Sequence, residues 1–192
     1  MPSRKSKSAS KPTTGTGRLY TLEVKLIGGP VTEAFVEKNE SVSRTIQIRG
    51  DQTLENLHNV IFDSFDREEE HLYEFQLGIK RPNDRNAIRY TLSQVAEDSF
   101  VGDNEMAGYV EGTRIDALSL KPKQAFFYWF DFGDDWWHEI RVVGISDEVP
   151  KGKYPKVVER VGESPPQYPD WDEDGFDEGD DEFDAESEAD ED

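Results

Sequence analysis

The chain has 192 residues, a formal net charge of −20 at pH 7 and no cysteine. The missing thiols exclude disulfides, thiolate metal sites and cysteine nucleophiles. No apolar run approaches the ~20 residues of a membrane helix, and a cytoplasmic protein is the expectation.

The charge is unevenly placed. Residues 1–18 hold five basic and no acidic side chains, whereas residues 170–192 hold fifteen acidic and no basic ones. Such ends bury too little apolar surface to offset the entropy of ordering. The expected organisation is therefore a disordered basic tail over 1–18, a single domain over 19–169 and a disordered acidic tail over 170–192. The basic arm invites a nucleic-acid role, but no aromatic residue interleaves its charges, which favours a solubilising tail. Trp171, Phe176 and Phe183 punctuate the acidic tract as an acidic-hydrophobic docking motif does, although a solvated tail is the simpler reading.

In chain order, Tyr20–Ile27 alternates Leu22, Val24 and Leu26 with Glu23 and Lys25, a half-buried strand that Gly28-Gly29-Pro30 ends. Residues 31–43 read as a short strand or loop, and Arg44–Arg49 as a second strand with Ile46 and Ile48 inward. Thr53–Phe65 is the clearest helix, with Leu54, Leu57, Ile61 and Phe65 at three- and four-residue steps and Asp51 or Thr53 as cap. His58 falls near its buried face, where a packing role outweighs a ligand role. His71–Gly78 reads as a third strand and residues 79–112 as a long connection. Thr113–Leu120 predicts a short helical turn, with Ile115 and Leu118 inward and Pro122 as its stop.

Phe126–Ile145 is the densest aromatic stretch of the chain. Phe126, Tyr128, Phe130 and Phe132 alternate with Phe127, Trp129 and Asp131. After Gly133-Asp134-Asp135, Trp136, His138, Ile140 and Val142 alternate with Trp137, Glu139, Arg141 and Val143. This pattern predicts an antiparallel hairpin, with Gly133 and the two aspartates supplying the turn. Residues 151–169, with their two proline clusters, read as an extended strap over the domain.

The hairpin tip groups Asp131, Asp134, Asp135, His138 and Glu139 within nine residues. Carboxylates beside an imidazole suit a divalent cation, which makes Asp131, Asp134 and His138 candidate metal ligands or catalytic groups. Against this, turn aspartates commonly accept from nearby backbone N–H groups and a strand histidine commonly packs. The structural reading is preferred, and no catalytic set is assigned. Asp131-Phe132-Gly133 copies a kinase triplet without the accompanying phosphate and catalytic loops, and carries nothing.

The order of elements fits an α+β domain, and it is similar to a β-grasp, ubiquitin-like mixed sheet covered by one main helix. Leu54-x-x-Leu57-His58-x-x-Ile61, His71-Leu72-Tyr73-x-Phe75 and Tyr128-x-Phe130-Asp131-Phe132-Gly133-Asp134-x-Trp136-x-His138-x-Ile140 resemble the plasmid pRi Orf-three-like family. Tyr154-Pro155, Gly162 and Pro165-Pro166 resemble its C-terminal element, with Gln167-Tyr168 where many members carry an acidic pair and glycines. The resemblance implies an uncharacterised protein associated with plasmids and insertion elements, with a β-grasp-like fold and no agreed activity.

Three functions follow as expectations. The first is a non-catalytic protein-interaction module, with a protein as partner and no cofactor. The second is a divalent-metal-dependent hydrolase or transferase at the hairpin tip. The third is an accessory protein of mobile-element DNA transactions, which the acidic balance disfavours as a direct nucleic-acid binder.

Overall fold

The computed structural model describes residues 17–93 and 106–170. The two expected tails, apart from residues 17, 18 and 170, lie outside the described residues, as does the middle of the long connection.

Alternating apolar residues build one sheet. β1 (Leu19–Gly28) turns Tyr20, Leu22 and Val24 to the inner face, all three fully buried. It pairs antiparallel with β2 (Ser43–Arg49) on one side and β7 (Trp136–Ser146) on the other. β7 continues through the hairpin to β6 (Ala125–Phe130), then β3 (Tyr73–Leu77), β4 (Ile88–Thr91) and β5 (Met106–Tyr109). β8 (Lys156–Val161) closes the far side against β2. The strand order is β5-β4-β3-β6-β7-β1-β2-β8, antiparallel except for the parallel β4–β5 pair.

The β-grasp expectation is thereby overturned. Among the described residues the fold is a large eight-stranded mixed sheet with two short α-helices, dominated by the sheet rather than by one main helix. Three strands escaped the sequence pattern for physical reasons. Ile88–Thr91 and Met106–Tyr109 are only four residues long and sit in a polar connection. Lys156–Val161 mixes charges with valine as an edge strand does, and its prolines suggested an extended strap.

Residues 31–43, expected as strand or loop, contain α1 (Glu33–Lys38), which buries no residue and starts where the Thr32 hydroxyl accepts from the Phe35 N–H. α2 (Leu54–Ser64) is the expected amphipathic helix. Its cap is reciprocal: the Thr53 hydroxyl accepts from the Asn56 N–H and the Asn56 carboxamide from the Thr53 N–H. Leu54, Leu57 and Ile61 enter the core, each contributing about 1.5–3 kcal/mol by leaving water. The helix lies across the inner face of the sheet, where His58 meets Tyr73 and Tyr128, Phe62 meets Phe130, and Phe65 meets His138.

A 3-10 turn at Ile115–Leu118 matches the expected short helix and buries Ile115. Its Asp116 carboxylate receives Arg18 Nε at 2.9 Å and the Tyr20 hydroxyl at 2.8 Å, which ties the start of β1 to this turn. Burial and that carboxylate push the Tyr20 phenol up to about 12. Gly50 is required here, because a Cβ would fall 2.2 Å from the Asp116 carboxylate. No helix among the described residues is long and apolar enough to cross a membrane.

Candidate functional site: the hairpin tip and the adjoining cleft

β6 and β7 set Tyr128 opposite His138, Trp129 opposite Trp137 and Phe130 opposite Trp136. Residues on one strand face alternate, so Tyr128, Trp136 and His138 face α2 while Trp129 and Trp137 stack on the outer face, 4.8 Å apart. The turn between them is an aspartate device. Asp131 and Asp135 adopt φ of +56° and +57°, a conformation aspartate tolerates better than most residues. Asp131 Oδ1 accepts from the N–H groups of Gly133 and Asp134 at 3.1 and 3.3 Å. Asp135 Oδ1 accepts from Trp129 Nε1 at 2.9 Å.

The three candidate ligands are not brought together. Asp131 is buried at the base of the turn and Asp134 is half-buried in the turn. His138 is buried on the inner face, its ring 4.7 Å from Phe65, edge-on, and 5.4 Å from Tyr128. Burial first, and then the nearby Arg67 charge, pushes the His138 imidazole down to about 3. Among the described residues no group of three or more His, Asp or Glu side chains is arranged to hold a metal ion.

Asp131 meets a different histidine. Its Oδ2 lies 3.5 Å from His71 Nε2, and the Tyr168 hydroxyl reaches the same nitrogen at 2.9 Å. His71 in turn stands at the mouth of a cleft of about 510 Å³ between α2 and the approach to β3. Glu55, His58, Asn59, Glu70 and Tyr73 line it, with Leu72 and Leu92 alongside. Leu72 is 46% exposed.

His58 forms the floor. Its ring stacks on Tyr73 with centroids 3.6 Å apart and planes 2° from parallel. Nδ1 lies 2.7 Å from the Tyr128 hydroxyl and Nε2 lies 3.3 Å from a Glu70 oxygen. A carboxylate accepts only, so Nε2 carries the proton and Nδ1 accepts from Tyr128. Burial pushes His58 down to about 3, so at neutral pH it pairs with Glu70 as a neutral donor and not as a cation. Burial, reinforced by the carboxylates of Glu55, Glu111 and Glu70, raises the Tyr73 phenol. Glu70 is itself raised, by partial burial and by Asp63.

Sequence reasoning assigned His58 a packing role, put His71 at the start of a strand and made Asp131 a candidate ligand, without grouping the three. It missed Glu55, Asn59 and Glu70, which the helix surface and a charged loop supply without any spacing signal. Gln167, which departs from the expected family pattern, is buried: its Oε1 accepts from the N–H groups of Glu68 and Glu69, pinning the strap beside the cleft.

These features define a class: a sheet-dominated α+β domain with one helix-covered face, an aspartate-turned aromatic hairpin at its middle and an acidic, histidine-floored cleft beside it. The chain belongs to the plasmid pRiA4b ORF-3-like protein family, whose model matches residues 34–177. Among solved structures it resembles the protein of unknown function MM3350 from Methanosarcina mazei Go1, with a TM-score of 0.58 and 19% identity. That match covers 80% of this chain and 74% of the other, and at this identity it speaks to the fold alone. No curated protein matches the chain.

Proposed function

We propose that the chain is a non-catalytic protein-interaction module, and that its docking site is the cleft between α2 and β3. The observation that carries this reading is the cleft's composition. An open space of about 510 Å³ is lined by two carboxylates, Glu55 and Glu70, with the exposed Leu72 beside them. A volume of this size accommodates one or two side chains of a partner. Its buried histidine is committed to neighbours, since His58 is neutral and held between Tyr128 and Glu70, which leaves the carboxylates as the groups that face a partner. Charge complementarity points to a partner segment that inserts a lysine or arginine, with an apolar residue covering Leu72. The basic partner also accounts for a domain that is acidic overall without any nucleic-acid role.

A display library of random dodecapeptides, panned against the full chain, tests the reading. Enrichment of peptides with a basic residue next to an aliphatic one is expected, together with a fall in affinity of at least tenfold on Leu72→Asp or Glu55→Lys. Absence of enrichment, or enrichment that neither substitution changes, would remove the cleft as a docking site.

A further inference from the structure

The inner face of β7 carries a second polar group that the cleft does not use. Arg67 lies in the turn after α2 and lays its guanidinium over the Trp136 ring, with Cζ 3.5 Å from a ring centroid. Arg67 is 7% exposed and Trp136 is fully buried. The benzo edge of the indole presses on Gly29, where a Cβ would fall 2.3 Å from Trp136 Cε3, so the packing on that side admits no side chain. His138 stands two residues along the same strand face, also buried, and feels the Arg67 charge.

These three side chains are short of partners. Arg67 Nη1 reaches the Pro165 carbonyl at 3.4 Å, the long end of a hydrogen bond. Among the described residues its Nε and Nη2 have no hydrogen-bond partner, nor has Trp136 Nε1, nor either ring nitrogen of His138. The Tyr128 and Trp136 carbonyls approach the imidazole without the geometry of a hydrogen bond. Asp66 and Asp131 act on Arg67 only at a distance, and no carboxylate of the described residues forms an ion pair with it. Burying a cation in this state is costly, and native proteins pair or solvate such groups.

The chemistry of the unmet demand is one-sided. Arg67 offers one N–H from Nε and two from Nη2, Trp136 offers one, and a neutral imidazole adds one donor and one acceptor. A water molecule donates as much as it accepts, so it answers such a set poorly and leaves the positive charge uncompensated. An anion answers both demands.

We propose that Arg67, Trp136 and His138 wall a binding site for one small monovalent anion, of halide, nitrate or formate size, beneath the C-terminal strap. The single uncompensated guanidinium sets the charge at one. The burial of all three walls sets the size. The strap supplies the cover: Ser164 is held by Arg44 Nη2 at 2.8 Å and donates to Asp66 at 2.6 Å, while Gln167 is fastened to Glu68 and Glu69. Entry of the ion then requires only that these latches open, with the sheet left intact.

Bromide tests this on the full chain, with gluconate, too large for the site, as the counter-anion. At constant ionic strength, replacing gluconate by bromide should raise Tm by about 5–10 °C once bromide exceeds its Kd a hundredfold. Crystals soaked in bromide should show an anomalous peak within hydrogen-bond reach of Arg67 Nη2. Arg67→Met should abolish the Tm response, and Trp136→Phe, which keeps a ring under Arg67 but removes the N–H, should weaken bromide roughly tenfold. If Arg67→Met does not fold, the Trp136→Phe titration and the anomalous map decide. A Tm indifferent to the anion overturns the proposal, as does a map with no bromide at Arg67 or a guanidinium bonded to Asp131 or to water alone.

Discussion

His58 and His138 are buried in the inner face of the sheet, and both are neutral because burial penalises the charged imidazolium. His58 faces Glu70 and the Tyr128 hydroxyl, and His138 faces Tyr128 and Arg67. Both imidazoles are pushed from about 6.5 down to about 3. A group whose folded-state pKa lies below its unfolded one binds protons mainly when the chain unfolds. Stability is therefore complete above about pH 6.5 and drains as the pH falls from there toward 3. Each histidine removes about 1.4 kcal/mol per pH unit, so the pair costs on the order of 4 kcal/mol at pH 5, a large part of a typical folding free energy. Glu70, raised in the folded state, works weakly in the opposite sense. Urea midpoints measured between pH 7.5 and 5 should fall steeply, and His138→Phe should halve the slope; a flat profile would mean that these rings are hydrated. This residue-level arrangement was partly legible in the sequence. Helical spacing put His58 near the packed face, and strand alternation set His138 in line with Trp136, Ile140 and Val142, although the same reading also grouped it with Asp131 and Asp134 as a candidate ligand. Arg67 was not legible, because a charged loop residue gives no sign of the tryptophan it will cover.

Elements were readable where a period is long enough to repeat. α2 shows three turns of apolar spacing and a capping threonine, and the hairpin shows two aromatic alternations around a polar turn, so both appear where the sequence put them. β4 and β5 have four residues each, too few to establish alternation, and α1 buries nothing, which leaves its pattern without an apolar face. The strap is the instructive case, since its extended path was evident but its fastening was not. Gln167 replaces the charged residues expected there, and its side chain serves two backbone donors and the Glu69 carbonyl. The two anchoring devices should respond differently to truncation. Thr53→Ala removes half of a reciprocal cap and should cost about 1 kcal/mol, lowering Tm by roughly 2–4 °C. Gln167→Ala opens a contact that spans about a hundred residues of chain, and should cost about 1–2 kcal/mol while exposing the peptide bonds around Pro165 and Pro166 to protease. Equal proteolysis of the two variants would show that the strap is held by its prolines rather than by Gln167.

At the scale of the molecule, the β-grasp expectation failed because strand count is a long-range property. Pairing of β1 with β7 and of β2 with β8 joins residues more than a hundred positions apart, and no local pattern encodes it. What the sequence did carry was the centre: the aromatic hairpin is flanked by strands on both sides, and its inner rings meet those of β3 and the side chains of α2. Burial falls off from there to the edges. β6, β7 and β1 present Phe126, Tyr128, Phe130, Trp136, Ile140, Leu22 and Val24 to the core, whereas β8 presents mostly exposed residues. β8 is also broken in register opposite Thr45 and Ile46 and carries Lys156, Glu159 and Arg160, which discourage pairing with another chain. A sheet built this way opens from its rims, because rim strands lose few apolar contacts when they detach. Amide hydrogen exchange at pH 7.5 should therefore be slowest in β1, β6 and β7, reaching the global unfolding free energy. It should be at least a hundredfold faster in the rim strands β5 and β8, although both are hydrogen-bonded to a neighbour. Uniform protection across the sheet would mean instead that the edges are covered by a second chain, and would move the search for a partner from the cleft to the rim.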